Sequence, residues 1–531
     1  MEKIDNLIKN RRPYVVVCMV ILFVFYRLFV IDSINNQRDL PIEVDDSYVY
    51  ISQASMFYED YKRERQTPKS IQSILKETYK SDTSNDIQFV SRYYGFSNNP
   101  SYFLYSATFG FFTKIVNIDP VKVWWTFAYL TQLLIAISVI LTLQMYISNN
   151  HILIIASILC AFISIEVVHQ LTATPMTIAN AIFLIGWFFI NKAKKSKALW
   201  LIGGLIIVIS LHIHPGVFVL FGLLSFSALV FWYLNFDSKV YDWNIFIFSI
   251  FIVLALILIE ALVFYVFSGE RYLGLISSEN LAIERHNMSL LQLISYNALE
   301  TRDRLIDFVN LYSFKGVGLF IYIFSLFITY SLNKKIFVIN LVFLASNFIG
   351  LIHYIPYHKG ELIEYIGQSQ LIFIAATFSY GYFKIIGLVR RGDIRNVFSI
   401  ILLSISLYFL YDKYLATSNQ IEIRSSRHNF PNEISIIVDF MESLPKKTSI
   451  IVGDEFTLVM VLSAVSDKYL LLSDDMRRGS KEWSAPRDML LPSAYIGTPK
   501  KVVSFAGKEY KLVNHETTGR VILSKIEIKD E

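Results

Sequence analysis

The sequence predicts an α-helical polytopic membrane protein of about 11 spans that ends in a small α/β domain. Three observations predict it. The first is composition: of 531 residues, 54% are hydrophobic and only 18% charged, with a mean hydropathy of +0.45. A soluble domain carries roughly a quarter charged residues. The second is that the apolar residues gather in runs of about 18 or more, enough to cross roughly 30 Å of hydrocarbon. The third is the placement of Lys and Arg in alternate short connections, the pattern of cytoplasmic loops. The net charge of +5 carries little beside that placement.

The chain starts MEKIDNLIKNRRPY, a basic segment leading into the first span at residues 14–31. That run has no small-residue cleavage site, so it is expected to be a retained anchor. A polar loop follows at about residues 32–120, with charges such as EDYKRERQ. Within it, SYFLYSATFGFFTKIV (101–116) is apolar but short, which suits a membrane-surface or re-entrant helix. Further spans are expected at 121–147, 152–168, 174–191, 198–213, 216–234 and 244–267, then at 311–332, 336–354, 366–388 and 396–412. A second polar loop covers 268–310.

With Lys3, Lys9, Arg11 and Arg12 in the cytoplasm, NKAKKSK (191–197), Lys239, Lys334, Lys335 and VRRGDIR (389–395) all fall on that side. The agreement requires that 101–116 not span. Both long loops and the tail then lie outside. The division expected is a transmembrane domain at 1–412 and an extracytoplasmic α/β domain at 413–531. In the tail, PNEISIIVDFMESLPKK and EFTLVMVLSAVSD have helical patterns, and TSIIVGD, KYLLLSDD, KKVVSF, YKLVNH and RVILSKIEI have strand patterns. Cys18 and Cys160 lie in apolar runs and match no metal or disulfide framework.

This topology brings polar residues to one face. The motif PIEVDDSYVYISQ puts Asp45 and Asp46 just outside the first span. The turn LHIHPG puts His212 and His214 at an outer span end, and HYIPYHKGELIEY contributes His353, His358, Lys359, Glu361 and Glu364. The second outer loop contributes Arg271 and Arg285. Ionisable groups at that depth are costly and default to a functional reading. Asp is also a favoured N-cap, and SYVYISQASMFYED has the pattern of a helix behind it. Capping needs one Asp, however. Neighbours at i, i+1 cannot share a helix face, which leaves the other for general-base work on an acceptor hydroxyl or amine.

A chain whose first span is followed at once by Asp45-Asp46-Ser47-Tyr48 resembles the GT-C glycosyltransferases. These multi-span enzymes use polyprenyl-phosphate- or pyrophosphate-linked sugars. They include protein O-mannosyltransferases, aminoarabinose transferases, mycobacterial arabinosyltransferases and oligosaccharyltransferases. The resemblance puts Asp45 in the place of the catalytic acidic residue, with Asp46 as its partner and Tyr48 beside the substrate. It also makes NNPSYFLYSATFGFFTKI the surface helix before the second span. The tail has no WWDYG-like signature, which argues against an oligosaccharyltransferase. HKGELIEY stands where some relatives place an Arg, so the phosphate-binding group is unassigned.

His212 and His214 are two apart, so they share a face only where the chain is extended. They are read either as interfacial histidines or as a pair contacting sugar or phosphate. A divalent cation (Mg or Mn) held by Asp45, Asp46 and His214 is a third, open alternative, since two His are few for a metal site. Arg271 and Arg285 suit a lipid phosphate, which guanidinium binds in bidentate fashion. Lys359, Glu361 and Glu364 face the same choice between substrate and headgroup contact, as does the aromatic run RYYGF (92–96).

The expected function is transfer of a sugar from a polyprenyl-phosphate donor to an acceptor glycan, lipid or protein on the extracytoplasmic face. The expected setting is a bacterial inner (plasma) membrane. The alternatives are a transporter or flippase, or a polymerase, for lipid-linked saccharides. A transporter is disfavoured by charges at span ends and by the absence of a repeat.

Overall fold

The computed structural model describes residues 12–35, 103–118, 120–161, 174–193, 196–214, 217–234, 318–352 and 361–388 of the helical part. In the tail it describes 450–454, 469–472, 492–505, 508–518 and 521–527, with scattered residues in 302–309, 408–415 and 436–444. The chain divides into two compact units. One comprises Met1–Ser33 and Ala128–Gln420; the other comprises Ile34–Phe127 and Ile421–Glu531.

The first unit is helical. Its elements are α1 (Arg12–Asn35), then after α2 (Phe103–Gly110) the long α3 (Pro120–Tyr146), α4 (Asn150–Ala161), α5 (Pro175–Ala193), α6 (Lys197–Ile213), α7 (Val217–Tyr233), α8 (Gly318–Leu332), α9 (Lys334–Ile352) and α10 (Glu361–Leu388). Both α2 and the first residues of α3 belong to the second unit. Among the described residues, two segments are long and apolar enough to cross a membrane: Arg12–Asp32 and Lys122–Tyr146, with hydropathies of 2.6 and 2.0. Helices α4, α6, α7 and α8 are apolar but shorter, at 12, 17, 17 and 15 residues. Spans expected at 244–267 and 396–412 lie outside the described residues, apart from single helical positions at Tyr408 and Tyr411.

Helix α10 is the axis of this unit. Every residue from 369 to 381 is buried, and it packs against α4, α5, α7, α8 and α9. Its buried stretch mixes Leu371, Ile372, Phe373, Ile374 and Phe378 with Ser369, Gln370, Thr377 and Ser379, so neighbours enclose it on every face. Close approach is achieved with small residues. A Cβ at Gly381 would sit 2.0 Å from Ser325 Oγ on α8. A Cβ at Gly186 on α5 would sit 2.9 Å from the Gly203 carbonyl of α6, and the reverse contact is equally tight.

The pattern of α8 is inside out. Its buried positions are Gly318, Tyr322, Ser325 and Thr329, spaced to make one polar stripe. Its outer face carries Phe320 and Phe327, 74% and 72% exposed. Water penalises such a face and hydrocarbon does not. Helices α1 and α6 show the same outward greasiness, through Val17, Ile21, Phe25 and Phe29, and through Leu201, Leu205 and Ile209. Within the stripe Thr329 donates to the Ser325 carbonyl of its own helix, and Tyr322 reaches across to α9. Tyr322 donates to Asn340 Oδ1 (3.1 Å), and Asn340 Nδ2 donates to the Phe373 carbonyl and Thr377 Oγ1.

In the second unit, α2 continues into a π-helical turn at Phe111–Ile115. Asn117 ends it in the left-handed region (φ 60°), a conformation Asn tolerates better than most residues. The rings of Tyr105, Phe109 and Phe112 pack on Phe127, while Phe111, Ile115 and Val116 are exposed. Apolar side chains are thus both packed and exposed along this short segment.

The tail forms a six-stranded mixed sheet in the order β2-β1-β3-β6-β5-β4. Its strands are β1 (Ile450–Gly453), β2 (Tyr469–Leu472), β3 (Pro492–Gly497), β4 (Val502–Phe505), β5 (Lys508–Thr518) and β6 (Val521–Ile526). Strand β1 runs parallel to both β2 and β3, and the rest is antiparallel. Thr518 lies opposite Val521 and Phe505 opposite Lys508, so two-residue links join both hairpins. Those links are Gly519-Arg520 and Ala506-Gly507, with Gly in each as short hairpins prefer.

Candidate functional site

The first unit has two chemically different ends, and hydrogen bonds fix which helix termini meet at one of them. Tyr146, the last residue of α3, is the hub. Its carbonyl accepts from Asn333 Nδ2 (2.8 Å), in the link between α8 and α9. Its hydroxyl accepts from Trp187 Nε1 of α5 (3.2 Å), and its ring packs edge-on against Phe373 of α10. Asn333 Nδ2 also donates to Tyr380 Oη (2.7 Å), while its Oδ1 caps α9 through the Ile336 N–H. Arg12, at the start of α1, donates to the carbonyls of Gln144 (3.2 Å), Ile147 (2.5 Å) and Ser148. A helix end leaves its last carbonyls without intrahelical donors, and a cation there also suits the macrodipole.

Basic residues collect at this end. Lys192 lies over Phe188, Lys334 over Tyr330 and Lys335 over Phe231, each ammonium 5.3–5.9 Å from the ring centroid. The starts of α1, α6 and α9 and the finishes of α3, α5, α7 and α8 therefore share one end.

The histidine turn belongs to the other end of α6. His212 is half-buried in the last helical turn. His214 follows in extended conformation (φ −156°, ψ 122°) and is only 3% exposed. Its N–H donates to the Ser210 carbonyl (3.0 Å), and its carbonyl accepts from Val217 N–H (3.4 Å), which opens α7. The backbone is thus helical at 212 and extended at 214. The extension needed for a shared face holds at His214 alone.

Asp45, Asp46, Tyr48, Arg271, Arg285, His353, His358 and Lys359 lie outside the described residues. Glu361 and Glu364 stand in the first turn and a half of α10, with side chains outside the described set. Among the described residues no group of three His, Cys, Asp or Glu is arranged to hold a metal ion.

Two charged sites were not singled out by sequence. Arg27 is 1% exposed inside α1, with its guanidinium 5.4 Å from the centre of the Phe23 ring. A lone Arg inside an apolar run was the available signal. The second is Asp454, in the turn after β1. Its carboxylate accepts from Thr498 N–H (2.9 Å), the Thr498 hydroxyl and Lys500 Nζ (3.2 Å), and its side chain is 7% exposed. Burial raises its carboxyl, but donors from Thr498 and Tyr495 and the Lys500 charge outweigh this and hold it below the usual range. A carboxylate with so many donors is a latch between the ends of β1 and β3. Gly497 must lack a side chain because a Cβ there would meet Asp454 Oδ1 at 1.8 Å.

Comparison with known proteins finds no family model that matches this chain and no curated protein that matches it.

Proposed function

We propose that the protein is an integral-membrane glycosyltransferase of GT-C type, which moves a sugar from a polyprenyl-phosphate-linked donor to an acceptor on the extracytoplasmic face. The observation that carries this reading is the direction of α1. It starts with Arg12 at the basic end of the first unit, so its far end lies away from Lys192, Lys334 and Lys335. Asp45-Asp46-Ser47-Tyr48 follows that far end in sequence, and α6 runs in the same sense to His212 and His214. With the basic end cytoplasmic, the acidic motif and the histidine turn fall on the extracytoplasmic side.

In this mechanism Asp45 takes the proton from the acceptor hydroxyl or amine. The acceptor attacks the anomeric carbon, and the sugar–phosphate bond breaks to release polyprenyl phosphate. A basic group holds the leaving phosphate; Arg271 and Arg285 are the proposed holders. A substrate anchored by a polyprenyl chain accounts for catalysis by a mostly apolar chain.

The test is a deletion strain whose surface glycans and lipid-linked sugars are profiled by mass spectrometry. The expected outcome is loss of one sugar from the glycan together with accumulation of its lipid-linked donor. Unchanged profiles would remove the reading.

A further inference from the structure

We infer that the end of the first unit built around Tyr146 is a permanently closed face, and that this protein does not open there during its working cycle. Donors from three separate places in the chain converge on one helix terminus. Asn333 and Trp187 take the carbonyl and hydroxyl of Tyr146, and Arg12 takes the carbonyls on either side. Asn333 extends the tie to Tyr380, so α1, α3, α5, α8, α9 and α10 are joined within one small volume. Trp187 and Tyr380 are buried there.

Opening this end would break several bonds at once and would expose the buried Trp187 and Tyr380 that now pack within it. Each such bond is modest singly. A set that shares Tyr146 and Asn333 must break together. Gly186 against Gly203, and Gly381 against Ser325, bring these helices so close that not even a Cβ fits between them. Alternating access requires both ends of a bundle to open in turn. A face tied in this way fits a protein whose substrates enter and leave from the other end or from the lipid. The inference rests on these contacts and stands whichever reaction the protein performs.

The experiment measures distances between spin labels on the full chain in lipid nanodiscs. Cys18 and Cys160 are first replaced by Ser and Ala. Labels go on Ser148→Cys with Ser331→Cys, and on Ser148→Cys with Lys192→Cys, exposed positions whose side chains take no part in the tie. Spectra are recorded alone and with polyprenyl phosphate in the bilayer. The expected result is one narrow distribution for each pair, unmoved by the lipid, that broadens when Asn333→Ala or Tyr146→Phe is added. A second population, or a shift near the pitch of one helical turn (about 5 Å), overturns the inference. It is also overturned if the distributions stay as narrow after both tie-breaking substitutions.

Discussion

Single residues decide several features of this protein. Gly381 is required because any side chain would strike Ser325 on α8. Gly381→Ala is expected to destabilise the first unit by about 1–3 kcal/mol, the usual cost of overpacking a filled interface. Adding Ser325→Gly should recover much of that, and thermal unfolding in detergent reads both. Asp454 gives a prediction with a pH signature. Its folded carboxyl titrates below the unfolded value, so its contribution to stability is full above the ordinary Asp range and is lost as pH falls through the folded pKa. Asp454→Asn should therefore lower stability at neutral pH by about 1–3 kcal/mol and flatten the acid limb of the stability curve. Denaturant titrations at neutral and acid pH check this; parallel curves for both proteins would contradict it.

At the scale of elements, the hydrophobic runs announced most helices within a few residues, because a run of apolar side chains leaves few other solutions. Expected 174–191, 198–213 and 216–234 became Pro175–Ala193, Lys197–Ile213 and Val217–Tyr233. The run at 152–168 is described as helix only over Asn150–Ala161. Four expected strands appear as β1, β2, β4 and β6, and YKLVNH lies within the longer β5. Strand β3 escaped notice because Pro-Ser-Ala-Tyr-Ile-Gly has little alternation and opens on Pro; its place in the sheet comes from pairing with β1 and β6. The Tyr146 tie was illegible for a different reason. Its partners lie 41 to 187 residues away along the chain, and no local pattern marks them. Losing one donor there tests the element. Asn333→Ala should cost about 0.6–2 kcal/mol, in the range of interhelical hydrogen bonds in membranes. Asn333→Asp keeps the helix cap while removing both Nδ2 bonds, so it should recover only part of the loss.

For the whole molecule, the outward apolar face of α8 suits a membrane setting, and the proposed topology puts Arg12 on the cytoplasmic side. Impermeant maleimide should then miss Ser148→Cys and Ser331→Cys in intact cells and react after lysis. Glu516→Cys on β5 should react in both. The opposite pattern would reverse the topology and take the acidic motif off the outer face. Of the candidate site, the structure describes only the histidine turn that the sequence marked by LHIHPG, and the acidic motif lies outside the described residues. The partners of Asp45 depend on folding of a loop too long for local patterns to fix. The most direct measurement is complementation of the deletion strain with Asp45→Asn and with Asp46→Asn, each verified in the membrane, followed by mass spectrometry of the surface glycan. The account predicts that wild type restores the missing sugar and Asp45→Asn does not, with the lipid-linked donor still accumulated. Full restoration by both Asn variants would show that the pair only caps a helix, and would contradict the proposed chemistry.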